Sequence, residues 1–435
     1  MHELKKIFFK KKILIYGLSL TGISTFDYLR KTNFVSVYDD VVEKTKIKKF
    51  KNHNVNKIQI LKTTFDYILI SPGINYKKCG LKSFLSKNKN KICTDLDVFY
   101  ANNFGNRIIT VTGTNGKSTT VKLITEILKN AGEDARSVGN IGKSILKESK
   151  IKKKTLFIIE ASSYQIEYSK FFKSNYSILL NISPDHIERH GNFKNYLQAK
   201  LKLFYNKSKE DYAFYNKKNK IITNGIQKNK IKCKILNVDQ NINKKYIHLI
   251  KNEYILNKNN LENLSFIFKI CEKLKIKKNI IIKTINKFQG LKYRQQIIYT
   301  SNTLSIVNDS KSTSFSSSIN LINSFNNVFW ILGGLPKKKD IFNFKKNKRT
   351  YIRAYIFGKN KKFFIKKLNK KIKFQVFPSI KYALQKILID IKKLNINSKK
   401  VILFSPSSAS FDEYKNFEER GAYFDFLVKS FKDKL

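Results

Sequence analysis

The sequence predicts an α/β protein with mainly parallel sheets, arranged in three domains. Residues 107–120 pass from a β-prone segment through a glycine loop into an amphipathic helical pattern. The chain opens on a similar plan at residues 13–31, and a third series of strands and helices begins near Ser305. Such alternation is typical of open sheets with helices on both faces. We expect a Rossmann-like N-terminal domain (residues 1–100), a central P-loop ATP-binding domain (101–295) and a Rossmann-like C-terminal domain (296–435).

The composition is strongly basic, but it does not indicate a nucleic-acid-binding protein. The 435 residues include 87 Lys and Arg against 31 Asp and Glu, a net charge of +56. Nearly all of the basic residues are lysines, and they are spread along the whole chain together with many Ile, Asn and Phe residues. A nucleic-acid-binding protein more often concentrates arginine and stacking aromatic residues on one element. We therefore attribute the charge to A/T-rich codon usage and expect no nucleic-acid partner.

Cysteine usage and hydropathy favour a cytoplasmic protein. The four cysteines form no CxxC pair and no Cys/His cluster, which suits a reducing compartment and argues against a structural zinc site. No run of 18 apolar residues is present, so we expect no membrane partner. The basic residues 10–12 and the apolar segment after them imitate a signal peptide, but we interpret them as a βα unit. We expect a monomer.

The glycine loop TGTNGKST, residues 112–119, is predicted to bind phosphate. Gly113 and Gly116 allow the backbone to curl so that successive N–H groups point inward, and the following helix favours an anion at its N-terminus. Lys117 adds a positive charge, and Ser118 supplies the hydroxyl that such loops offer to Mg²⁺. The spacing is tighter than GxxxxGK[ST], because the earlier glycine lies three residues before Gly116.

Two turns near the N-terminus lie where open α/β sheets bind ligands. The first is GLSLTG at residues 17–22, in which Ser19 stands where the dinucleotide fingerprint has its middle glycine. A nicotinamide dehydrogenase is therefore disfavoured. The second turn, at residues 71–73, follows a strand at 67–70. The polar stretch at 101–106 is predicted to be a linker.

Polar clusters follow two further predicted strands. The strand at 156–159 leads into Glu160, and the strand at 178–180 leads into Asp185 and His186. By itself Glu160 also fits a helix N-cap charge, and a lone histidine is usually a satisfied surface or core residue. The Lys/Asn-rich residues 207–258 are predicted to form meandering strands and loops, followed by helices at 261–274 and 280–288.

Together these clusters resemble the Mur ligases, ATP-dependent amide-forming enzymes that build the peptidoglycan stem peptide. The matching segments are TGTNGKST at 112–119, Glu160 with SSYQ after it, DHIERH at 185–190 and NDSK at 308–311. The run SPSSAS at 405–410, leading to YKNFEERG at 414–421, resembles the members that add D-glutamate to UDP-N-acetylmuramoyl-L-alanine. The resemblance covers essentially the full chain.

The resemblance implies a ligase that activates a carboxylate as an acyl phosphate, with ATP and two Mg²⁺ ions. It implies that Lys117, His186 and Lys200 are catalytic, and that Lys200 is carbamylated. The implied metal ligands are Ser118, Glu160, His186 and Lys200. The implied ATP-binding residues are Gly113, Thr114, Asn115, Gly116, Lys117, Ser118, Thr119, Asn260, Asn263, Arg294 and Asp309.

The resemblance also assigns the substrate-binding residues. Leu20, Thr21, Ser71, Pro72 and Gly73 match the UDP-sugar site; Asn140 matches the muramoyl site, and Ser162 and Gln165 further substrate contacts. Thr313, Lys337, Ser410 and Phe417 match the D-glutamate pocket, where a cation and hydroxyl groups suit an acidic side chain.

The sequence departs from the family pattern at several positions: Val41, Asn257, Asn259, Tyr293 and Gln296. These departures leave the phosphate-transfer residues intact but place nucleotide and UDP affinity in question. Another Mur ligase or a folylpolyglutamate synthetase-like ligase is the alternative enzyme, and the KNFEERG run and Lys337 argue against both. A basic nucleic-acid-binding protein is the alternative from another class.

Overall fold

The computed structural model describes residues 6–41, 48–139, 144–205, 207–229, 231–239, 245–256, 258–337, 340–344, 351–393 and 398–431. Asn140, Asn257 and the side chain of Asn259 lie outside the described part of the chain. The described residues divide into two compact units, residues 1–250 with 262–286 and residues 251–261 with 287–435. We call them the first and the second unit and describe each by itself.

The first sheet lies in the first unit and consists of four parallel strands. Its strands are β1 (Lys12–Tyr16), β2 (Phe34–Tyr38), β3 (Tyr67–Ile70) and β4 (Ile92–Cys93). Their order is β2-β1-β3-β4, so the chain reverses direction across the sheet at β1. The predicted GLSLTG turn follows β1, and the Ser-Pro-Gly turn follows β3 beside it, so both turns lie at the same edge.

The second sheet, also in the first unit, has six parallel strands. They are β5 (Arg107–Thr112), β6 (Ala135–Gly139), β7 (Leu156–Glu160), β8 (Tyr176–Leu179), β9 (Tyr212–Tyr215) and β10 (Lys234–Asn237). The order is β10-β9-β8-β5-β7-β6. The strand before the glycine loop therefore lies where the order reverses, which is the usual ligand position in such sheets. All five residues of β7 are buried, as expected of a strand covered on both faces.

The third sheet, in the second unit, has six strands and one antiparallel edge. They are β11 (Gln296–Thr300), β12 (Leu304–Asn308), β13 (Asn327–Gly333), β14 (Tyr351–Phe357), β15 (Lys373–Val376) and β16 (Lys400–Phe404). The order is β11-β12-β16-β13-β14-β15, and only the β11–β12 pairing is antiparallel among the strand pairs described. The three-sheet α/β architecture confirms the predicted fold class. The domain boundaries at 100 and 295 stay a prediction.

The described helices connect or flank these strands. They are Leu20–Leu29, Lys57–Lys62, Lys82–Lys87, Asp95–Asn103, Lys117–Asn130, Ser163–Tyr168, Ile187–His190, Phe193–Tyr205, Lys220–Gln227, Glu253–Leu256, Lys258–Lys273, Lys278–Lys287, Phe315–Ile322, Lys361–Leu368, Ile380–Lys393 and Phe417–Ser430. In the first unit one hydrophobic core joins the first two sheets, and the rings of Phe99 and Phe157 pack edge to face within it.

Two predictions about connecting segments were wrong. Residues 101–103 belong to the helix Asp95–Asn103 rather than to a linker, because the Asn102 and Asn103 side chains donate to carbonyl groups four residues earlier. The described residues between 212 and 237 do not meander, since β9 and β10 extend the second sheet in parallel around the helix Lys220–Gln227. Asn219 caps that helix by accepting from the Ile222 amide at 3.2 Å. Asn-rich composition was therefore a poor signal for loops here.

Candidate active site

The glycine loop joins β5 to the helix Lys117–Asn130, as predicted. Gly116 has a φ of +80°, and a Cβ added there would lie 2.3 Å from Oδ1 of Asn263. Only glycine fits this position without displacing Asn263. The buried Asn263 therefore packs against the loop that precedes the helix, and its place near the nucleotide stays a prediction.

The loop is fastened to the segment that follows β8. The amide of Thr114 donates to the Asn181 carbonyl at 3.1 Å, and the amide of Asn115 donates to Oδ1 of the same asparagine at 2.9 Å. The Thr114 hydroxyl lies 3.1 Å from the Tyr196 hydroxyl and accepts from the Ser183 amide at 3.0 Å. The loop conformation is thus held by residues up to 82 positions further along the chain.

Two lysines share one backbone acceptor at this loop. Nζ of Lys117 and Nζ of Lys200 each donate to the Gly113 carbonyl at 2.9 Å. Lys117 also donates to the Thr114 carbonyl, and Lys200 lies 3.3 Å from the Thr112 hydroxyl. The structure therefore brings together the two lysines that the sequence analysis placed in the catalytic group.

Lys200 is only 2% exposed, although lysine is among the residue types least often buried. Burial lowers its pKa well below the ordinary value, and the positive charge of Lys117 lowers it further, whereas Asp185 and Glu160 oppose the shift. Its ammonium also lies over the Tyr196 ring at 4.9 Å. Burial of this kind favours the neutral form of an amine, which is its nucleophilic form.

The burial of Lys200 could have been predicted from the helical spacing of its neighbours in the sequence. Lys200 lies four residues after Tyr196 and four before Phe204 in the helix Phe193–Tyr205, and all three side chains are buried. Residues four apart lie on the same face of a helix. A lysine in an apolar stripe differs from the solvated lysines of this chain, and that distinction was available from the sequence.

Ser118 and Glu160 form a buried oxygen pair beside the loop. The Ser118 hydroxyl donates to Oε2 of Glu160 at 2.8 Å, and both side chains are 2% exposed. β7 places Glu160 next to β5 in the sheet, because Val111 and Glu160 are paired in register. The two predicted metal ligands are therefore adjacent, and a helix N-cap role for Glu160 is unnecessary to explain its position.

His186 lies in a strained backbone conformation with a φ of +53°. Its amide donates to Oδ1 of Asp185 at 2.9 Å, and its Nε2 lies 3.4 Å from Oδ2 of the same residue. The imidazole packs against the Tyr164 ring at 5.1 Å. Among the described residues no group of three or more His, Cys, Asp or Glu side chains forms a complete metal cage.

The predicted UDP-sugar residues lie at the ends of neighbouring strands of the first sheet. The Ser71 hydroxyl donates to the Gly17 carbonyl at 2.5 Å, which joins the turns after β1 and β3. Leu20 is 81% exposed although it begins a helix, so its side chain is accessible to a ligand. The structure brings this set together, with Thr21 at the start of the helix Leu20–Leu29 and Pro72 and Gly73 in the turn after β3.

Ser162 and Gln165 have structural partners of their own. The two side chains form a capping box at the start of the helix Ser163–Tyr168, in which the Gln165 amide donates to the Ser162 hydroxyl at 3.2 Å. Nε2 of Gln165 also lies 3.2 Å from both carboxylate oxygens of Asp95. Their substrate-binding role stays a prediction, since these contacts explain both residues without a ligand.

In the second unit, the loops after β12, β13 and β16 meet at one edge of the third sheet. Leu335 and Ala409 exchange backbone hydrogen bonds, and the Ser408 amide donates to the Ser312 carbonyl at 3.3 Å. The Ser310 hydroxyl donates to the Phe417 carbonyl at 2.9 Å. The predicted D-glutamate residues lie in or beside these connected segments: Thr313, Lys337, Ser410 and Phe417.

Arg420 holds these loops together and was missed as a site residue by the sequence analysis. It is fully buried and donates to the carbonyl groups of Ser310, Ser408 and Ala409 at 2.7, 3.0 and 3.2 Å. Burial lowers its pKa to about 10, so it remains charged at neutral pH. Its place within the KNFEERG run, as one of few arginines in a lysine-rich chain, was the available signal.

Asp309 and Arg294, the predicted clamp for ATP, also lie in the second unit. Asp309 is buried and accepts from the Gln295 amide at 3.1 Å and from the Ser405 hydroxyl at 2.9 Å. Burial raises its pKa to about 7, against the opposing charge of Arg294. The guanidinium of Arg294 lies 6.0 Å from the Phe417 ring centre. Asn260, the remaining predicted nucleotide residue, is buried.

A cavity of about 720 Å³ in the first unit is separate from these sites. Its walls include Tyr76, Glu167, Tyr168 and Lys202, and none of the predicted site residues lines it. Among the described residues no helix is both long and apolar enough to span a bilayer.

The chain is similar to Mur ligases in its middle part and to D-glutamate ligases along almost its whole length. Residues 111–281 match the Mur ligase middle domain. UDP-N-acetylmuramoylalanine–D-glutamate ligase of Rickettsia bellii (strain RML369-C) is 33% identical over 439 residues, which cover 95% of this chain and 96% of that protein. The protein of the same name from Francisella tularensis subsp. tularensis (strain SCHU S4 / Schu 4) is 31% identical, with 97% of each chain covered.

Solved structures of lower identity share the fold. MurF ligase from Thermotoga maritima in complex with ADP is 14% identical, with 85% of this chain and 90% of that chain covered and a TM-score of 0.54. UDP-N-acetylmuramate–alanine ligase from Thermotoga maritima is 15% identical, with 98% and 100% covered and a TM-score of 0.53. At this level of identity the likeness concerns the fold alone.

Proposed function

This chain belongs to the Mur ligase family, and from that premise we propose that it joins D-glutamate to UDP-N-acetylmuramoyl-L-alanine with one ATP, in peptidoglycan precursor synthesis. The observation that carries the choice of substrates is the match with D-glutamate ligases along 95% of the chain at 33% identity. The other members of the family and folylpolyglutamate synthetase-like ligases are disfavoured on the same ground.

The reaction requires activation because a carboxylate is a poor electrophile. A carboxylate oxygen of the alanyl group attacks the γ-phosphorus of ATP, the bond to the bridging oxygen breaks, and ADP leaves. The amine of D-glutamate then attacks the acyl carbon, the carbon–oxygen bond to phosphate breaks, and inorganic phosphate leaves with release of a proton. Phosphoryl transfer asks the protein mainly for positioning and for stabilisation of charge.

We assign the ATP phosphates to the glycine loop of residues 113–119. The amides of the loop and the N-terminus of the helix Lys117–Asn130 provide donors and a partial positive charge. Lys117 now donates to the Gly113 and Thr114 carbonyls, so it is positioned at the loop and would turn to the β- and γ-phosphates. Asn263, which packs against the same loop, is proposed to contact the remainder of the nucleotide. The role of Arg294 and Asp309 in ATP binding stays a prediction.

The residues beside the loop fit Mg²⁺, which prefers oxygen ligands and is commonly held by one or two carboxylates together with substrate phosphates. Ser118 and Glu160 offer a hydroxyl and a carboxylate already adjacent at 2.8 Å. His186 is proposed as a ligand of a second ion, next to Asp185. When bound, the ions would neutralise charge between the phosphate and the reacting carboxylate.

Lys200 is proposed to carry a carbamate. A neutral amine adds CO₂ with loss of one proton, and the burial of Lys200 beside Lys117 favours the neutral amine. The modification replaces one of two ammonium groups that share the Gly113 carbonyl with an anion. Such an anion would attract and orient a nearby dication, whereas an ammonium would repel it.

Phosphate release tests the proposal directly. With ATP, Mg²⁺ and UDP-N-acetylmuramoyl-L-alanine, we expect release to require D-glutamate and to be negligible with L-glutamate. Lys117→Ala serves as the control for contaminating ATPases and should lose 10²-fold or more in turnover. Equal release with L-glutamate, or with another amino acid in place of D-glutamate, would overturn the substrate assignment. Strong salt-dependent DNA binding without ATP turnover would favour the nucleic-acid alternative instead.

A further inference from the structure

Arg189 is a buried cation that none of the proposed steps uses. It lies in the short helix Ile187–His190 that follows His186, and only 9% of its surface is exposed. Its Nη1 donates to the Gly73 carbonyl at 3.3 Å. Its Nε and Nη2 are also buried, and neither has a hydrogen-bond partner among the described residues.

A guanidinium in this position is costly unless an anion accompanies it. Arginine keeps its charge in proteins, and burying a charge without a partner costs several kcal/mol. No carboxylate of the described residues lies within ion-pair distance of Arg189. The protein therefore holds two charged donors in its interior that its own described residues leave unused.

The neighbouring side chains compensate the charge of Arg189 only in part. The guanidinium lies 4.5 Å from the centre of the Tyr164 ring and 5.9 Å from that of Tyr168, which gives cation–π contact but accepts no charge. Burial raises the pKa of both phenols, so both stay neutral. The charge of Arg189 acts on the nearby Glu167 and lowers its pKa against the effect of burial, but the two side chains form no ion pair, and Oε2 of Glu167 lies 3.5 Å from Nδ1 of His190.

The position of Arg189 suggests what the anion is. Gly73 belongs to the turn after β3 where we propose that the sugar nucleotide binds, and a Cβ added to Gly73 would meet nothing within 4 Å. The same helix begins directly after His186, which we propose lies near the reacting carboxylate. Arg189 thus connects the sugar-nucleotide turn to the segment that carries the reaction.

We propose that Arg189 binds an anionic oxygen of the sugar-nucleotide substrate through Nε and Nη2. A guanidinium presents two parallel N–H groups that match two oxygens of a phosphate or a carboxylate. The substrate offers this chemistry twice, in its diphosphate and in its alanyl carboxylate. The inference rests on the proposed function, because that function supplies the ligand.

The test measures binding to Arg189→Met and wild-type protein by calorimetry. Three probes are used: UDP-N-acetylmuramoyl-L-alanine, the same molecule with an alaninamide in place of the carboxylate, and UDP. We expect the variant to bind the complete substrate about 10- to 100-fold more weakly, since hydrogen bonds to charged groups are among the strong ones. An equal loss with all three probes identifies the diphosphate, and a loss confined to the carboxylate-bearing probe identifies the carboxylate.

Arg107→Met is the matched control. Arg107 also lies in the first unit, but it is half exposed and pairs with Glu133 at 3.3 Å. Its loss should leave all three affinities within about twofold of wild type. Arg189→Lys keeps the positive charge but lacks the two parallel N–H groups, so it should bind the substrate with an affinity between those of wild type and Arg189→Met. It replaces Arg189→Met in the test if that variant does not fold.

Unfolding of the ligand-free protein separates this role from a structural one. Since Arg189 is a buried charge that forms no ion pair with the described residues, Arg189→Met should leave the unfolding midpoint unchanged or raise it, while substrate stabilises the variant less than wild type. If wild-type protein binds the substrate and Arg189→Met binds all three probes with the same affinity as wild type, the proposal for Arg189 is overturned and the proposed function is not. If wild-type protein does not bind the substrate, the proposed function itself fails.

Discussion

Two buried cations, one in each unit, hold the loops at the carboxyl ends of parallel strands. Lys200 donates to the Gly113 carbonyl and lies beside the Thr112 hydroxyl, within a single loop. Arg420 donates to the carbonyl groups of Ser310, Ser408 and Ala409, and so connects two loops. Both side chains are almost completely inaccessible to solvent.

The two cations differ in what burial does to their charge. The pKa of Arg420 falls only to about 10, so its charge and its hydrogen bonds persist at every physiological pH. The pKa of Lys200 falls well below its ordinary value, so its amine can lose a proton and react. Arginine is suited to a permanent connection, whereas lysine is suited to a position whose charge must change.

The largest effect on activity is expected from substitution of Lys200. Lys200→Ala should lower turnover 10²-fold or more, because an anion proposed to orient the second metal is lost. Short carboxylic acids such as acetate should partly restore turnover by occupying the vacated space. Lys200→Arg is the matched control and should not be rescued, since its guanidinium keeps its charge and fills that space. Full activity of Lys200→Ala in carbonate-depleted buffer would show that Lys200 is not needed.

Substitution of Arg420 should lower the stability of the second unit more than it lowers turnover. Arg420→Met leaves the carbonyl groups of Ser310 and Ser408 without the donor described for them and removes one of two donors to the Ala409 carbonyl, and we expect a loss of about 3 kcal/mol or more in the free energy of unfolding of the second unit. Trp330 is the only tryptophan in the sequence, and its indole donates to the Ser405 carbonyl in that unit. Its fluorescence in urea therefore reports this loss locally.

Arg353→Met is the control for Arg420→Met. Arg353 lies 3.4 Å from Asp390 and is partly exposed, so its removal should cost about 1 kcal/mol or less. Equal losses for the two variants would mean that Arg420 does not connect the loops as its contacts indicate.

A smaller and more selective effect is expected at Lys337, which we propose pairs with the side-chain carboxylate of D-glutamate. A charge-assisted contact of this kind contributes about 1.5–3 kcal/mol, so Lys337→Ala should raise KM for D-glutamate roughly 10-fold or more. KM for ATP should change little. Steady-state kinetics with each substrate varied in turn make the comparison, and equal changes in both constants would remove Lys337 from the amino-acid site.

The last expected effect is a pH dependence of the stability of the second unit. Burial raises the pKa of Asp309 from 3.8 to about 7, so the folded state keeps a proton that the unfolded state releases. The stabilising contribution is complete below the unfolded pKa and is lost as pH rises towards 7. The urea midpoint reported by Trp330 should therefore fall more steeply over this range in wild type than in Asp309→Asn. Parallel curves for the two proteins would contradict the assignment.

Much of the fold could be predicted from local signals. The strand, glycine loop and helix at residues 107–130 are encoded in adjacent residues, and Gly116 reflects a backbone conformation that other residues avoid. The segments at 101–106 and 212–237 were misjudged because polar composition was taken as a sign of loops. In both regions asparagine side chains bond to the backbone of helices.

The candidate site was less predictable where it depends on distant contacts. The hydrogen bond from Lys200 to the Gly113 carbonyl joins residues 87 positions apart, and no sequence feature near Lys200 predicts that acceptor. Arg420 likewise bonds to loops that precede it by 110 and 12 residues. The family resemblance supplied Lys200 but not Arg189 or Arg420 as site residues, which became apparent only from burial and hydrogen bonding.

The order of strands in the second sheet also sets the earliest moment at which this protein can bind a nucleotide during synthesis. β5 is made early, but its paired residues in β7 and β8 follow 49 and 67 positions later, and the loop after β5 needs Asn181, Tyr196 and Lys200. The first sheet, complete by Cys93, has no such dependence. On the ribosome, we expect the first sheet to form first, and the phosphate loop to remain incomplete until the helix Phe193–Tyr205 has left the exit tunnel.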